Sequence, residues 1–381
     1  MKIKPFTPII ISLCLFGIFL ILPSSWFSGL ITTKTLEKQR IALSDQVLKG
    51  TLIQDKMFRS NAFYPIYGSS ELEKDDPFNP AILLRDQTVY SQQPFLIGTG
   101  GSTDLINAIE LAAQYDNLKG KKMAFIISPQ WFTNHGLTNK NFDARISKTQ
   151  LNHLFNQKNL SPELKQRYAK RLLSFKNVYN RNYLEKMSKD NVSETDHYLS
   201  SFNTTQFEKI EAIKSRVPLS KTELTDTEPI TAQEASWQAI RKQAEIHGAK
   251  HSQSNAFKIR DEYWDLIKAH KRKINRDYEF NAHSPEFKDL ELLVDTMREA
   301  GADVEYISIP SNGKWYDHIG VHKEKRQKVY DKINHTVISR GGRIYDMTDK
   351  DYEPYVISDA VHIGWKGWAY ISEHIAQHMH R

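Results

Sequence analysis

Five short apolar runs, each ending in glycine, proline or polar residues, constrain the fold of this 381-residue chain more than any other feature of its sequence. They are residues 62–67, 94–97, 122–128, 303–309 and 342–347. Helical segments separate them, including residues 284–300, 318–340 and 364–378. Strands that alternate with helices predict an α/β fold, in which a mostly parallel sheet is covered by helices on both faces. Pro65 lacks an N–H group, which favours an edge position for the first strand.

The N-terminal residues form the most apolar segment of the chain. Lys2 and Lys4 precede an uncharged stretch over residues 5–33, and Trp26 and Phe27 lie near its far end. This pattern predicts an N-terminal transmembrane helix within residues 1–33, with a cytoplasmic N-terminus and the rest of the chain outside the cell. A cleaved signal peptide is the alternative, although no A-x-A site follows the apolar run.

The remaining residues divide by composition. Residues 61–147 and 284–381 contain all the strand-like runs and are expected to form one α/β catalytic domain. Residues 148–283 are rich in lysine, asparagine and glutamate with helical periodicity, which predicts a helical insertion; an independent helical domain is the alternative. Residues 34–60 are polar with apolar residues at helical spacing, and we expect a juxtamembrane helix or stalk there.

The charge of the chain bears on what it binds. The formal net charge is +7, which favours a polyanionic partner such as anionic lipid, nucleic acid or a phosphate-rich polymer. Nucleic acid ranks last because no zinc finger, RNA-binding signature or basic-region heptad is present. The single cysteine, Cys14, lies in the N-terminal apolar run, so neither an intramolecular disulfide nor a cysteine nucleophile is expected.

Asp359 and His362 are three residues apart near the end of the chain. In a loop, this spacing lets the carboxylate meet one imidazole nitrogen, which leaves the other nitrogen free to act as a base. Ser70 lies in a Gly-x-Ser turn after the first strand, and a hydroxyl there needs such a base to become a nucleophile. Ser69 is the competing nucleophile. The three residue types together predict a Ser70–His362–Asp359 catalytic triad.

Two further residues are candidate oxyanion donors. Gly101 lies in the glycine turn after the second strand, where its N–H group can approach a substrate oxygen. Gln130 follows the third strand and offers a side-chain amide. His374 and His378 have a spacing that suits zinc, but no third ligand is apparent, so no metal and no cofactor are expected.

The order of these motifs resembles the SGNH-type hydrolase family. That family has a nucleophile turn near its start, then a glycine turn, an asparagine after a central strand, and Asp-x-x-His near its end. Here the corresponding segments are GSS with Ser70, TGGS with Gly101, SPQW with Gln130 and DAVH with Asp359 and His362. Two positions depart from the family pattern: Ser69 replaces the aspartate of the first motif, and Gln130 replaces the asparagine. The resemblance implies a flavodoxin-like sheet and serine-dependent acyl chemistry.

The segments YGSSE, GTGGS, SPQWF, PSNGKWYD and DAVHIGWKGW, taken together over nearly the full length, are similar to the DltD family. That resemblance implies transfer of D-alanyl groups onto lipoteichoic acid in the bacterial teichoic-acid D-alanylation system. It implies a membrane acyltransferase partner of the MBOAT type and a D-alanyl carrier protein. Asn312, Trp315 and Tyr316 follow the fourth strand and are candidate substrate-binding residues.

Two other functions remain open at this point. An esterase or thioesterase would use the same triad and differ only in letting water reach the acyl group. A non-catalytic membrane scaffold that recruits the carrier protein or the acyltransferase would need no triad at all.

Overall fold

The computed structural model describes residues 6–74, 76–86, 89–215, 236–269 and 274–381. Within them, five strands form one parallel sheet in the order β2-β1-β3-β4-β5. The strands are β1 (Phe63–Tyr67), β2 (Gln93–Ile97), β3 (Lys122–Ile127), β4 (Asp303–Ser308) and β5 (Arg343–Asp346). Each strand ends within one residue of the range that the sequence predicts, so the predicted α/β sheet is present.

The helices of the described residues surround this sheet. In chain order they are α1 (Thr7–Ile21), α2 (Ser24–Ser28), α3 (Thr33–Gln39), α4 (Asp45–Leu48), α5 (Leu52–Arg59), α6 (Pro80–Leu83), α7 (Asp104–Ala112), α8 (Asn139–Arg145), α9 (Lys148–Asn156), α10 (Pro162–Leu172), α11 (Arg181–Ser188), α12 (Glu194–Lys214), α13 (Trp237–His251), α14 (Asp261–Lys268), α15 (Glu286–Ala300), α16 (Gly313–His318), α17 (Lys323–Ser339) and α18 (Trp365–His380). The helix expected over residues 318–340 is α17, which begins five residues later, at Lys323, because α16 ends at His318. Gly320 lies between them at φ 89°, a left-handed conformation that ends a helix.

Two hydrophobic cores lie on opposite faces of the sheet, because successive side chains of a strand point to opposite sides. Phe63 and Tyr67 of β1 belong to the larger core, which also contains residues of α5, α7, α15 and α17. Tyr64 and Ile66 belong to the smaller core, which contains residues of α6, α13 and α18. Both faces of the sheet are therefore covered by helices.

The expected edge position of β1 is wrong, because β1 lies between β2 and β3. The strand tolerates Pro65 there for a geometric reason. Gln93 N donates to Ala62 O and Gly68 N donates to Ile97 O, so the even-numbered groups of β1 face β2 and Pro65 faces β3. Pairing between β1 and β3 begins only at Ile66. Pro65 therefore faces β3 at the point where the pairing has not yet begun, and its pairing with β2 needs no N–H group from this residue.

The sheet joins two parts of the chain that are distant in sequence. β3 pairs with β4 over six residues, from Lys122 with Asp303 to Ile127 with Ser308. The described residues between 148 and 283 contain helices α9–α14 and no strand. Residues 34–60, expected to form a stalk, contain α3, α4 and α5, and Val47 and Ile53 are fully buried in the larger core. The domain boundaries stay a prediction.

The expected transmembrane helix is wrong, and so is the single-pass arrangement that depended on it. No helix in the described part of the chain is both long enough and apolar enough to cross a membrane. α1 has 15 residues and is therefore about 22 Å long, whereas a hydrocarbon core is ~30 Å thick. It ends because Leu22 is extended at ψ 137°, as residues before proline usually are.

Candidate active site

The predicted site residues of the first three strands lie where the strand order reverses. The sheet departs from β1 toward β2 on one side and toward β3 on the other, and ligands of open α/β sheets bind beyond the carboxyl ends of the strands at such a point. Ser70 follows β1, Gly101 follows β2 and Gln130 follows β3. The turns after β1 and β2 are in contact, since a Cβ atom built on Gly100 would lie 3.6 Å from Ser70 Cβ.

Ser70, His362 and Asp359 form a continuous hydrogen-bonded chain. Ser70 Oγ lies 2.8 Å from His362 Nε2, and His362 Nδ1 lies 2.6 Å from Asp359 Oδ2. The second oxygen of Asp359 accepts hydrogen bonds from the backbone N–H groups of Val361 and His362, both at 2.8 Å. An ionised Asp359 then fixes the tautomer in which Nδ1 carries the proton, and Nε2 is the acceptor for the Ser70 hydroxyl.

Asp359 is held in its ionised form. Burial by itself raises the pKa of this carboxyl, but the hydrogen bond to His362 and the charge of the imidazolium lower it. The two backbone N–H groups act in the same direction as His362, and the pKa of Asp359 falls below its ordinary value. Such a carboxylate can stabilise a positive charge on His362 after the imidazole has accepted a proton.

A closed loop presents Asp359 and His362 to the serine. Ile357 and Ile363 form an antiparallel bridge across its base, and Ser358 N donates to His362 O at 2.8 Å. Arg260 N donates to Ser358 O at 2.8 Å, so the segment before α14 supports the loop from outside the sheet. The sequence did not suggest this role for Arg260, because a backbone contact leaves no signal in the residue type.

Ser69, the competing nucleophile, has a different environment. Its side chain is buried, and its Oγ donates to Thr99 O at 3.3 Å and accepts from Trp131 Nε1 at 3.1 Å. Both hydrogen-bonding directions of the hydroxyl are therefore used within the fold. Ser70 is partly exposed and has the imidazole, so Ser70 is the hydroxyl that the structure equips with a base.

Two glutamates, which the sequence analysis missed, attach the serine turn to the neighbouring turns. Glu71 accepts from Ser69 N at 2.6 Å and from Ser128 Oγ, after β3, at 3.0 Å. Glu73 accepts from Thr99 Oγ1 and from Gly100 N, after β2. Burial raises the pKa of Glu71, while its hydrogen bonds lower it. Two acidic residues within three positions of a candidate nucleophile, in a chain of net positive charge, are the sequence signal that could have identified them.

The two candidate oxyanion donors have unusual local features. Gly101 has φ 87°, which favours glycine because it lacks Cβ. Gln130 is 8% exposed in the short 3₁₀ turn Pro129–Trp131, and its Oε1 has no hydrogen-bond partner among the described residues. Their roles as oxyanion donors stay predictions.

The three candidate substrate-binding residues all have structural contacts. Asn312 caps α16 through a hydrogen bond from Trp315 N and donates to Phe257 O. Trp315 is buried against the ring of Phe257, and the Tyr316 hydroxyl donates to Glu279 Oε2 at 2.5 Å. Asn312 also hydrogen-bonds to the loop of the triad, through its backbone N–H to Ala360 O. Contact of these three residues with a substrate stays a prediction.

Comparison with known proteins identifies the family of the chain. A family model described as DltD protein matches residues 40–380. Protein DltD of Staphylococcus aureus is 62% identical over 379 residues, which cover 100% of this chain and 97% of that protein. Protein DltD of Bacillus subtilis is 35% identical, with 98% of this chain and 97% of the relative covered. Protein DltD of Lacticaseibacillus rhamnosus is 25% identical, with 95% and 87% covered. The chain belongs to the DltD family.

Proposed function

We propose that this protein transfers D-alanyl groups onto lipoteichoic acid through an ester on Ser70. The observation that carries the proposal is the hydrogen-bonded chain from Ser70 Oγ through His362 to Asp359. A serine hydroxyl is a weak nucleophile at neutral pH, and a neutral imidazole at hydrogen-bond distance is the group that activates it. Membership of the DltD family supports D-alanine as the group that is transferred.

The first half of the reaction forms the ester. Ser70 Oγ attacks the D-alanyl carbonyl carbon while its proton passes to His362 Nε2, and the carbonyl oxygen becomes an oxyanion. Asp359 stabilises the imidazolium, and the N–H of Gly101 and the amide of Gln130 are the proposed oxyanion donors. The bond to the leaving group then breaks, and His362 returns its proton to that group.

In the second half of the reaction, the acceptor hydroxyl is the nucleophile and Ser70 Oγ is the leaving group. A free hydroxyl of the glycerol-phosphate chain attacks the Ser70 ester while His362 Nε2 accepts the proton of that hydroxyl. When the ester breaks, the proton returns to Ser70 Oγ and the D-alanyl group remains on the acceptor. The net charge of +7 is consistent with a polyanionic acceptor. The proposed protein partners are an MBOAT-type acyltransferase that supplies the acyl group and the D-alanyl carrier protein that loads it.

Replacing Ser70 tests this function. Ser70→Ala, expressed at the wild-type level in cells that lack the native protein, should incorporate almost no D-alanine into lipoteichoic acid. Ester-linked D-alanine, released by mild base and measured in the isolated polymer, is the readout. Normal incorporation with Ser70→Ala would favour the scaffold. Release of free D-alanine by the wild-type protein, without transfer to an acceptor, would favour the esterase.

A further inference from the structure

Helix α8 places two hydrogen-bond donors against the glycine turn that follows β2. Asn141 and Arg145 are four residues apart on this helix, so they lie on one face of it. A Cβ atom built on Gly101 would lie 3.5 Å from Arg145 Nε and 3.6 Å from Asn141 Cγ. Both side chains therefore reach the turn.

The same turn borders the nucleophile. A Cβ atom built on Gly100 would lie 3.6 Å from Ser70 Cβ, and consecutive Cα atoms are ~3.8 Å apart. Gly100 is the turn residue next to Ser70. The next residue of the turn, Gly101, is the one next to Arg145 and Asn141. Glu73 Oε2 is nearer still to the built Cβ of Gly100, at 3.3 Å, but it already accepts from Gly100 N, so Arg145 and Asn141 are the donors that the turn offers to a ligand beside Ser70.

Arg145 differs from other arginines in the described part of the chain because it lacks a carboxylate partner there. In the described part of the chain it makes no hydrogen bond and no ion pair, although its side chain is partly buried. Other partly buried arginines behave differently: Arg167 pairs with Asp295, and Arg171 pairs with Asp289. A partly buried guanidinium without a carboxylate has given up some hydration and is available to an anion.

The chemistry of the two side chains suits a phosphodiester. The planar fork of a guanidinium matches two oxygens of a phosphate group, and the Asn141 amide, which donates to no described residue, adds one more donor. In a glycerol-phosphate chain the free hydroxyl is on the carbon next to the one that bears the phosphate ester. A phosphate held at Arg145 keeps that hydroxyl close to Ser70.

We propose that Arg145 and Asn141 form a phosphodiester subsite that positions the acceptor hydroxyl for attack on the Ser70 ester. This inference rests on the proposed function, because it names the part of the acceptor that the site recognises. The subsite makes α8 the element that recognises a polyol-phosphate chain. The glycine turn, which is also proposed to supply an oxyanion donor, then lies between the subsite and Ser70.

Binding of a short glycerol-phosphate oligomer to the full chain tests the subsite. Arg145→Gln should weaken binding about 10- to 100-fold, the range expected when a charge-assisted hydrogen-bond pair is lost. The matched control is Lys140→Gln, which removes an exposed cation from the same helix and should change Kd by no more than about threefold. Equal Kd values for the two variants would overturn the proposal.

A conservative variant covers the case in which Arg145→Gln does not fold. Arg145→Lys keeps the charge but loses the planar fork, so it should bind the oligomer more weakly than wild type and lose discrimination against inorganic phosphate. An Arg145→Lys variant with wild-type Kd and discrimination would also overturn the subsite.

Failure of the proposed function gives a different result. If Ser70→Ala transfers D-alanine normally, the enzymatic mechanism is wrong, whatever the oligomer binding shows. If Ser70→Ala abolishes transfer but Arg145→Gln binds the oligomer as wild type does, only the subsite is wrong. In steady-state transfer, loss of the subsite should raise KM for the acceptor more than it lowers kcat.

Discussion

Two histidine–carboxylate pairs lie at opposite ends of the parallel strands. We call the side where the strands end the carboxyl edge and the side where they begin the amino edge. At the carboxyl edge, His362 pairs with Asp359 and faces Ser70. At the amino edge, His378 Nε2 lies 3.2 Å from Asp303 Oδ1, and its Nδ1 lies 2.7 Å from the Tyr64 hydroxyl. Each imidazole therefore has a carboxylate beside one nitrogen and a hydroxyl beside the other, although His378 Nε2 also lies 3.2 Å from Arg343 Nη2.

The surroundings of the two pairs differ in access. The side chain of His362 is 17% exposed and that of His378 is 1% exposed. The Tyr64 hydroxyl is buried, and burial raises its pKa well above the ordinary value. A hydrogen-bonded triplet by itself therefore does not predict an active site. An accessible hydroxyl on a turn at the carboxyl end of a strand is what separates the first pair from the second.

The largest expected effect comes from breaking the triad at the carboxyl edge. Ser70→Ala and His362→Ala should each reduce D-alanyl transfer by about 10³-fold or more, and the double variant should be little worse because the residues act as a unit. Transfer from an activated D-alanyl donor measures this. Tyr64→Phe is the matched control at the amino edge and should transfer normally. Equal losses at both edges would contradict the comparison.

Removing a glutamate that positions the serine turn should have the next largest effect. Glu71→Gln replaces one carboxylate oxygen with an NH₂ group, which is a donor. The side chain then has a single acceptor oxygen for two donors, Ser69 N and Ser128 Oγ. The serine should shift, and kcat should fall by about 10²-fold with a smaller change in KM. Glu163→Gln, at an exposed glutamate of α10, is the control. A wild-type kcat for Glu71→Gln would show that the turn keeps its position without this carboxylate.

Ser69→Ala sharpens the contrast between the adjacent serines. The substitution removes a hydroxyl that bonds to Thr99 O and Trp131 Nε1, so the free energy of unfolding should fall by about 1–2 kcal/mol. Transfer should stay within about tenfold of wild type, because the serine that has the imidazole is intact. Chemical denaturation and transfer kinetics on the same preparation measure both. A loss as large as that of Ser70→Ala would assign the nucleophile to Ser69.

The smallest expected effect concerns the amino edge and appears in stability alone. Burial lowers the pKa of His378 below its ordinary value, although Asp303 acts in the opposite direction. Because the folded state then binds this proton less readily than the unfolded state, the stabilisation is present above about pH 6.5 and is lost as the pH falls. His378→Gln should remove this slope, at most about 1.4 kcal/mol per pH unit. Urea unfolding of both proteins between pH 5 and pH 8 measures it, and parallel curves would contradict the assignment.

The sequence predicted the sheet well because each strand carries its own signal. Apolar runs that end in Gly68, Gly98 or Pro129 show both the strand and its carboxyl end, and the carboxyl ends of parallel strands meet at one edge. Residue types and the Asp-x-x-His spacing brought Ser70 and the Asp359–His362 pair into one hypothesis. Pro65 led to the wrong prediction of an edge strand. Its effect depends on which neighbouring strand its N–H-less nitrogen faces, and this follows from the pairing register and not from the residue type.

Other features depend on tertiary contacts that leave little trace in the sequence. The N-terminal apolar run has the composition of a span, but the helix stops at Leu22, and Lys209 of α12 donates to the carbonyl groups of Phe19 and Leu20. Trp315 and Tyr316 follow a strand end as site residues often do, yet both side chains are buried. Arg145 lies more than seventy positions from Ser70 in the sequence, and only the fold places it at the same turn.

Trapping the acyl group on the protein is the most direct test of the Ser70 ester. The full chain is mixed with an activated D-alanyl donor in the absence of acceptor, quenched in acid and digested for mass spectrometry. We expect the mass of one D-alanyl group on the peptide that contains Ser70, its loss when a glycerol-phosphate acceptor is added before the quench, and no modification in Ser70→Ala. Transfer to the acceptor by a Ser70→Ala protein, or a D-alanyl group carried on another residue, would contradict the proposed mechanism.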